Sequence, residues 1–242
     1  MKNFIKINKK IKSFNKIINV EGDKSLSIRW ALLASQAIGK SRAYKLLKSE
    51  DVMSTLNCLK KLGVKINFNN SFCEIHGKGL NGYTYKKKLS LNAGNSGTLG
   101  RLILGLLIHT KEKIKVIGDK SLSKRDFSRV TVPLEKFGAK FYYKTKNKLP
   151  LTILGSKSIR GINYLENKGS AQCKSSIMLA ALNSSGTTSI KAKKSRNHSE
   201  LLFKYLKIPI KIKKTKQYDF INITKPKKIK AFNYQIPGDI SS

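Results

Sequence analysis

One order of features occurs three times along this 242-residue chain, and that recurrence limits its folds more than any single motif does. The copies are EGDKSLSIRWALLASQAIGKSRAYKLLKSEDVMSTLNCLKKLGVKI, AGNSGTLGRLILGLLIHTKEKIKVIGDKSLSKRDFSRVTVPLEKFGAKF and KGSAQCKSSIMLAALNSSGTTSIKAKKSRNHSELLFKYLKIPIKI. Each opens on glycine and small polar residues, at Gly22, Gly94 and Gly169, 72 and 75 residues apart. An apolar run of helical length follows, then a short β-like run, a polar break and an amphipathic second helix. The segments between copies alternate in hydropathy around Gly-Lys and Pro-Lys turns, which predicts hairpins. The unit is β-α-β-α-β-β. Three such units, with helices buried and sheets outward, make a pseudo-threefold α/β body. The last residues, IPGDISS at 236–242, repeat the Gly-Asp-x-Ser of Gly22–Ser25, and read as the truncated opening of a further unit.

Charge narrows the function classes. Fifty lysines and arginines face 13 acids, a net charge of +37. Such a balance suits polyanions, but the lysines are spread through almost every segment and no aromatic-rich binding motif runs among them. Only seven of the 50 bases are arginine; where lysine is the default base, arginine marks positions that use its planar, bidentate fork. Three cysteines (Cys58, Cys73, Cys173) and three histidines (His76, His109, His198) are scattered, which argues for reduced thiols and against a disulfide framework or a zinc site. No apolar run of 18 residues appears, and the basic N-terminus lacks the apolar block of a secretory signal. These observations predict a cytoplasmic chain with no metal and no membrane partner.

The stretch VEGDKSLSIRWALLASQAIG at 20–39 sets Lys24, Ser25, Ser27 and Arg29 at the start of an apolar helix. A helix start leaves backbone N–H groups unpaired and carries partial positive charge, so the cluster reads as a place for phosphate or carboxylate.

The motifs GDKSLSIR, NAGNSGTLGR, GDKSLSKR, GSAQCKSS and SRNHSE, in that order and spacing, resemble the 3-phosphoshikimate 1-carboxyvinyltransferase (EPSP synthase) family. Their wording is nearer its second bacterial class. The resemblance covers the whole chain but only the N-terminal half, or slightly more, of a normal member. It implies an inside-out α/β lobe over residues 20–236, a strand of the other lobe over 1–19, the start of that lobe over 237–242, and a second lobe largely missing. It also implies transfer of the enolpyruvyl group of phosphoenolpyruvate to the 5-hydroxyl of shikimate 3-phosphate, without metal or organic cofactor, by an enzyme that is monomeric when full length. Carried over by motif, Lys24 touches both substrates. Ser25, Arg29, Ser170, Ala171, Gln172, Ser195 and Arg196 hold shikimate 3-phosphate. Asn95, Gly97, Arg125 and Gln172 hold phosphoenolpyruvate, and Arg101 packs or pairs beside them. Glu21 stands where the family has proline. The general-base aspartate, a second lysine and two further arginines belong to the other lobe, so the chain alone is expected to bind its ligands weakly and not turn over. The alternatives are a UDP-N-acetylglucosamine enolpyruvyl transferase, which needs a reactive loop cysteine that Cys58, Cys73 and Cys173 do not match, and a non-catalytic protein binding nucleic acid through charge.

Overall fold

The computed structural model describes residues 20–239, and before them only Lys6, Asn8, Ser13 and Asn15. The expected strand within 1–19, and Ile240–Ser242 of the final segment, lie outside the described residues. The elements, in chain order, are α1 Lys24–Ser35, β1 Ala37–Tyr44, α2 Glu50–Lys61, β2 Lys65–Phe68, β3 Phe72–Lys78, β4 Ser90–Asn92, α3 Gly97–Leu106 and β5 Ile114–Ile117. After a 3-10 turn at Leu122–Lys124 come α4 Ser128–Lys136, β6 Lys140–Tyr143, β7 Leu151–Leu154, β8 Asn163–Glu166, α5 Ala171–Ala181 and β9 Thr187–Lys193. The chain continues through α6 His198–Tyr205, β10 Ile210–Lys214, β11 Tyr218–Thr224, β12 Ile229–Lys230 and β13 Asn233–Gln235.

The strands form three sheets of one design. Two of them run β4-β5-β7-β6 and β8-β9-β11-β10. In each, the first pair is parallel and joined through an inner helix, and the rest is antiparallel. The remaining sheet, β12-β1-β3-β2, obtains its parallel edge from the far end of the chain. Ala37 lies opposite Ile229, and Ala43 opposite Tyr234 on β13. The first unit is thus completed by the last strands. Where the path enters and leaves, Gly22 and Gly238 bridge, Asp23 N donates to the Pro237 carbonyl at 2.9 Å, and Asp239 N donates to the Glu21 carbonyl at 3.0 Å.

The helices divide by their surroundings. From Leu26 onward every residue of α1 is buried, as is every residue of α5 from Cys173 onward. A helix apolar on all sides belongs inside. In α2 the buried residues Val52, Thr55, Leu56 and Leu59 recur at helical spacing, leaving an exposed face. The sheets cover the outside and expose alternate residues, as in Tyr218–Thr224, where Asp219, Ile221 and Ile223 point inward. Among the described residues no helix is long and apolar enough to cross a membrane.

Inner helices α3 and α5 approach closely. A Cβ on Gly105 would lie 2.2 Å from the Ser176 carbonyl oxygen, a backbone atom that no rotamer can move aside. Ser176 Oγ in turn donates to the Arg101 carbonyl at 3.0 Å. Gly105→Ala gains about 1 kcal/mol in helix propensity but overpacks this crossing. A net loss of about 2 kcal/mol is expected in urea denaturation, with the m-value unchanged; unaltered stability would mean that the two helices do not meet so closely.

Beyond the C-terminal ends of the inner helices lies a cavity of about 1290 Å³ whose lining includes His109 and Asn183. Asn183 Nδ2 faces His109 Nδ1 at 3.5 Å. Burial, reinforced by Lys225, pulls the His109 imidazole down to about 4. Above about pH 6.5 it is neutral in both folded and unfolded chain and contributes no pH dependence. As pH falls from 6.5 toward 4 the unfolded chain takes up a proton that the folded chain does not, so stability declines. A fall on the order of 2 kcal/mol across that window is expected, and His109→Gln should flatten it; an unchanged slope would place the effect elsewhere.

Candidate anion-binding site

The three inner helices begin alike. Asp23, Ser96 and Ser170 are their N-caps, 73 and 74 residues apart. Asp23 Oδ1 accepts from Leu26 N at 2.6 Å, Ser96 Oγ from Leu99 N at 3.2 Å, and Ser170 Oγ from Cys173 N at 3.2 Å. Each cap satisfies one of the N–H groups a helix start leaves over. No first turn of α1, α3 or α5 carries an acid, whereas α2 begins with Glu50 and Asp51. The starts of α3 and α5, capped by neutral serines, therefore keep their positive ends for an anion, whereas Asp23 already sets a carboxylate at the start of α1.

Two arginines join these starts across units. Arg29, in the second turn of α1, is buried. Its Nε donates to Ser199 Oγ of α6 at 3.0 Å, one terminal nitrogen to Ser175 Oγ of α5 at 3.2 Å, and the other to the Ser25 carbonyl at 3.0 Å. Ser199 Oγ donates to Ser175 Oγ at 2.7 Å. Burial draws the guanidinium down to about 10, opposed by Glu200 and Asp23 and assisted by Arg196; it stays charged at neutral pH. Behind it, Lys174 Nζ meets Glu200 Oε1 at 2.5 Å with both groups out of solvent. The second arginine, Arg101 of α3, donates to Gln172 Oε1 of α5 at 2.8 Å and to the Asp126 carbonyl at 3.1 Å, and lies over the Phe127 ring. Gln172 Nε2 donates back to Thr98 Oγ1 at 3.1 Å, so α3 and α5 start side by side.

Gly97, the first residue of α3, lies between two cations. A Cβ there would come within 3.0 Å of a terminal nitrogen of Arg101 and also of Arg125. Two guanidinium groups therefore converge on a notch that any side chain would fill. Burial lowers the Arg101 pKa, and Arg125 and Arg129 lower it further. Asp126 opposes this shift, and like charges brought together gain from a bound anion. Arg125 reaches Asn95 Oδ1 at 3.4 Å, and Asn95 Nδ2 donates to Asp119 Oδ2 at 2.6 Å. The other Asp119 oxygen accepts from Leu122 N at 2.6 Å, the first cause of its lowered pKa, to which Arg125 also contributes.

The residues singled out by motif gather at this end of the molecule. Lys24 is half-exposed, 3.6 Å from Asp51, and Ser25 stands one residue further into α1. Asn95, Gly97 and Arg125 surround the notch, and Ser170, Ala171 and Gln172 open α5. Arg196 is exposed near Arg29, and Ser195 Oγ is buried with no partner among the described residues. Arg29 faces inward, its nitrogens given to Ser25, Ser175 and Ser199. Sequence reasoning missed Thr98, Asp119, Lys174, Ser175, Ser199 and Glu200. All six stand inside or beside the quoted motifs, but only tertiary packing supplies their partners. Glu21 is exposed and engages Asp239 through its backbone.

A buried ion pair whose members were replaced singly would leave one charge stranded. Lys174→Met should lower stability by about 3–5 kcal/mol, while Lys174→Met combined with Glu200→Leu recovers most of that loss, both read by urea denaturation. Equal losses in the single and double variants would show that the pair stabilises in its own right.

The EPSP synthase (3-phosphoshikimate 1-carboxyvinyltransferase) family matches residues 8–242. The 3-phosphoshikimate 1-carboxyvinyltransferase of Streptococcus mutans serotype c is 40% identical over 227 residues, covering 93% of this chain and 52% of the relative. That of Thermoanaerobacter sp. is 39% identical over 235 residues, covering 97% and 54%. A solved structure of EPSP synthase from Acinetobacter baumannii aligns with a TM-score of 0.84 at 33% identity, covering 93% of this chain and 50% of that one. The chain spans about half the length of the relatives it matches.

Proposed function

The chain belongs to the EPSP synthase family, and from that premise we propose that the polar end of its inner helices supplies one side of an enolpyruvyl-transfer site. The substrates in this reading are phosphoenolpyruvate and shikimate 3-phosphate, and the products 5-enolpyruvylshikimate 3-phosphate and phosphate. The observation that carries it is the notch at Gly97, on which guanidinium nitrogens of Arg101 and Arg125 converge. The carboxylate or phosphate of phosphoenolpyruvate fits there, with Asn95 and Gln172 alongside. Shikimate 3-phosphate lies against the starts of α1 and α5, contacted by Lys24, Ser25, Ser170, Ala171 and Gln172, with Ser195 and Arg196 on its far side. The orphan hydroxyl of Ser195 favours a ligand there, since a buried polar group without a partner costs about 1–3 kcal/mol.

Addition of the shikimate 5-hydroxyl to C2 of phosphoenolpyruvate, with a proton delivered to C3, gives a tetrahedral ketal phosphate. Breaking its C2–O bond to phosphate as a methyl proton leaves gives the enol ether and moves negative charge toward the departing phosphate. Helix starts and fixed cations stabilise such charge without reorganising at the moment of reaction. Lys24 is placed to follow it, its side chain half-exposed at the start of α1. Arg29 keeps α1, α5 and α6 in register and adds its charge from below. The general base, a second lysine and two more arginines lie, by the family resemblance, in the half of the relatives that this chain does not span. In this reading the chain alone binds ligands weakly and does not turn over.

The UDP-sugar alternative needs a cysteine thiolate at a mobile loop. Cys58, Cys73 and Cys173 are all buried, and burial pushes their thiols up to about 11, 12 and 12; none is poised to react at neutral pH.

Calorimetric titration with shikimate 3-phosphate, with shikimate and inorganic phosphate as controls, tests the reading. Saturable binding that needs both ring and phosphate is expected. Lys24→Ala, at an exposed side chain, should weaken it about tenfold or more. Phosphoenolpyruvate added to that complex should bind, and Gly97→Ala should weaken it comparably. Competition by phosphate alone, or equal binding in the Lys24 variant, would overturn the assignment.

A further inference from the structure

The sheet β8-β9-β11-β10 turns a particular set of side chains outward. Strand register puts Leu165, Lys191, Phe220 and Lys213 in one row across its four strands. Asn163, Ser189, Asn222 and Lys211 form the next row, and Lys193 stands opposite Tyr218 beyond the first. Leu165 is 52% and Phe220 38% exposed. A shallow groove of about 390 Å³ runs over this face between Leu165 and Phe220. The two acids of these strands, Glu166 and Asp219, point to the opposite side and are buried. The outer face therefore carries the exposed Phe220 ring, the partly buried Tyr218 ring, an exposed leucine and four lysines, with no acid among the described residues. The other sheets differ: Arg42 on β1 is matched by Glu74 at 2.7 Å, which also bonds His76, and Tyr142 on β6 lies under Lys113 without a second ring on its strand face.

Tyr218 and Phe220 occupy alternate positions of one strand and so stand about 7 Å apart on the same side. Lysines flank that strand on both neighbours, Lys191 and Lys193 on β9 and Lys211 and Lys213 on β10. Rings that accept bases, between two rails that accept phosphates, are the parts of a single-strand platform. We propose that the outer face of β8-β9-β11-β10 binds single-stranded nucleic acid without sequence preference. It shares no residue with the anion site at the helix starts. Lys191 Nζ lies over both rings, 4.8 Å from the Tyr218 centroid and 5.7 Å from that of Phe220. An exposed cation–π contact is weaker than base stacking on a ring, so a base displaces the ammonium, which turns to the adjacent phosphate. An acidic peptide would satisfy the lysines but leave the rings unused.

The test is fluorescence anisotropy of labelled dT12 and rU12 with the whole chain, over a range of salt concentrations. Saturable binding is expected. Tyr218→Ala and Phe220→Ala should each weaken it about tenfold with the salt dependence unchanged. Replacing Lys191 and Lys213 by glutamine should lower the slope of log K against log salt by about 0.7 per lysine. Tyr142→Ala, on a different sheet, serves as a control and should bind as the parent does. All five positions are surface ones, and melting curves check that each variant is folded. The proposal falls if dT12 and rU12 do not bind, if a 12-base-pair duplex competes as well per phosphate, or if the two ring variants bind like the parent while only the lysines matter.

Discussion

Three helices can be buried on all sides in this molecule only because the polar groups of their first two turns bond one another across units. Arg29 ties α1 to α5 and α6, Arg101 ties α3 to α5, and Lys174 meets Glu200 beneath them. An unpaired guanidinium or ammonium in that position would cost several kcal/mol. Paired as they are, the groups hold the helix starts at one level and in one register. The sheets, the crossing at Gly105 and the return of β12 and β13 to β1 all follow from inner helices held in that arrangement.

The same arrangement explains why the polar end of the lobe suits anions. Apolar packing fills the helix bodies, so the cations that join the units gather where those bodies begin. There they meet helix starts whose first turns carry no acid. Arg29 and Arg101 spend their hydrogen bonds on the protein, whereas Arg125, Lys24 and Arg196 reach toward solvent. The inner arginines thus fix the frame on which the exposed cations stand, an arrangement that agrees with the rigid support a binding site needs.

Local sequence and tertiary packing part company in a direct comparison. The hexapeptide GDKSLS occurs at 22–27 and again at 118–123. In both, aspartate accepts a bond from the leucine N–H three residues on, at 2.6 Å. The first copy continues as the twelve-residue α1 because Ile28, Trp30, Ala31 and Leu32 find the core. The second ends after a 3-10 turn, since the exposed polar residues Lys124, Arg125 and Asp126 follow it and bring no apolar face to the core. One turn signal, identical in sequence, opens a core helix in one unit and presents Arg125 in another.

By itself the sequence determined the repeat, the helix starts and the residue types at the anion site, because caps, glycine turns and hydropathy periods act over a few residues. The inner helices run twelve, ten and eleven residues where apolar runs of that length stood, and every motif residue lies at the same end. Only the tertiary structure decided which cations face inward, that β12 and β13 complete the first sheet, and that Glu200 neutralises Lys174. It also decided that lysines and rings from separate segments share the outer face of β8-β9-β11-β10. Those facts depend on contacts between positions as far apart as Arg29 and Ser199, and on strand register, which no local pattern specifies.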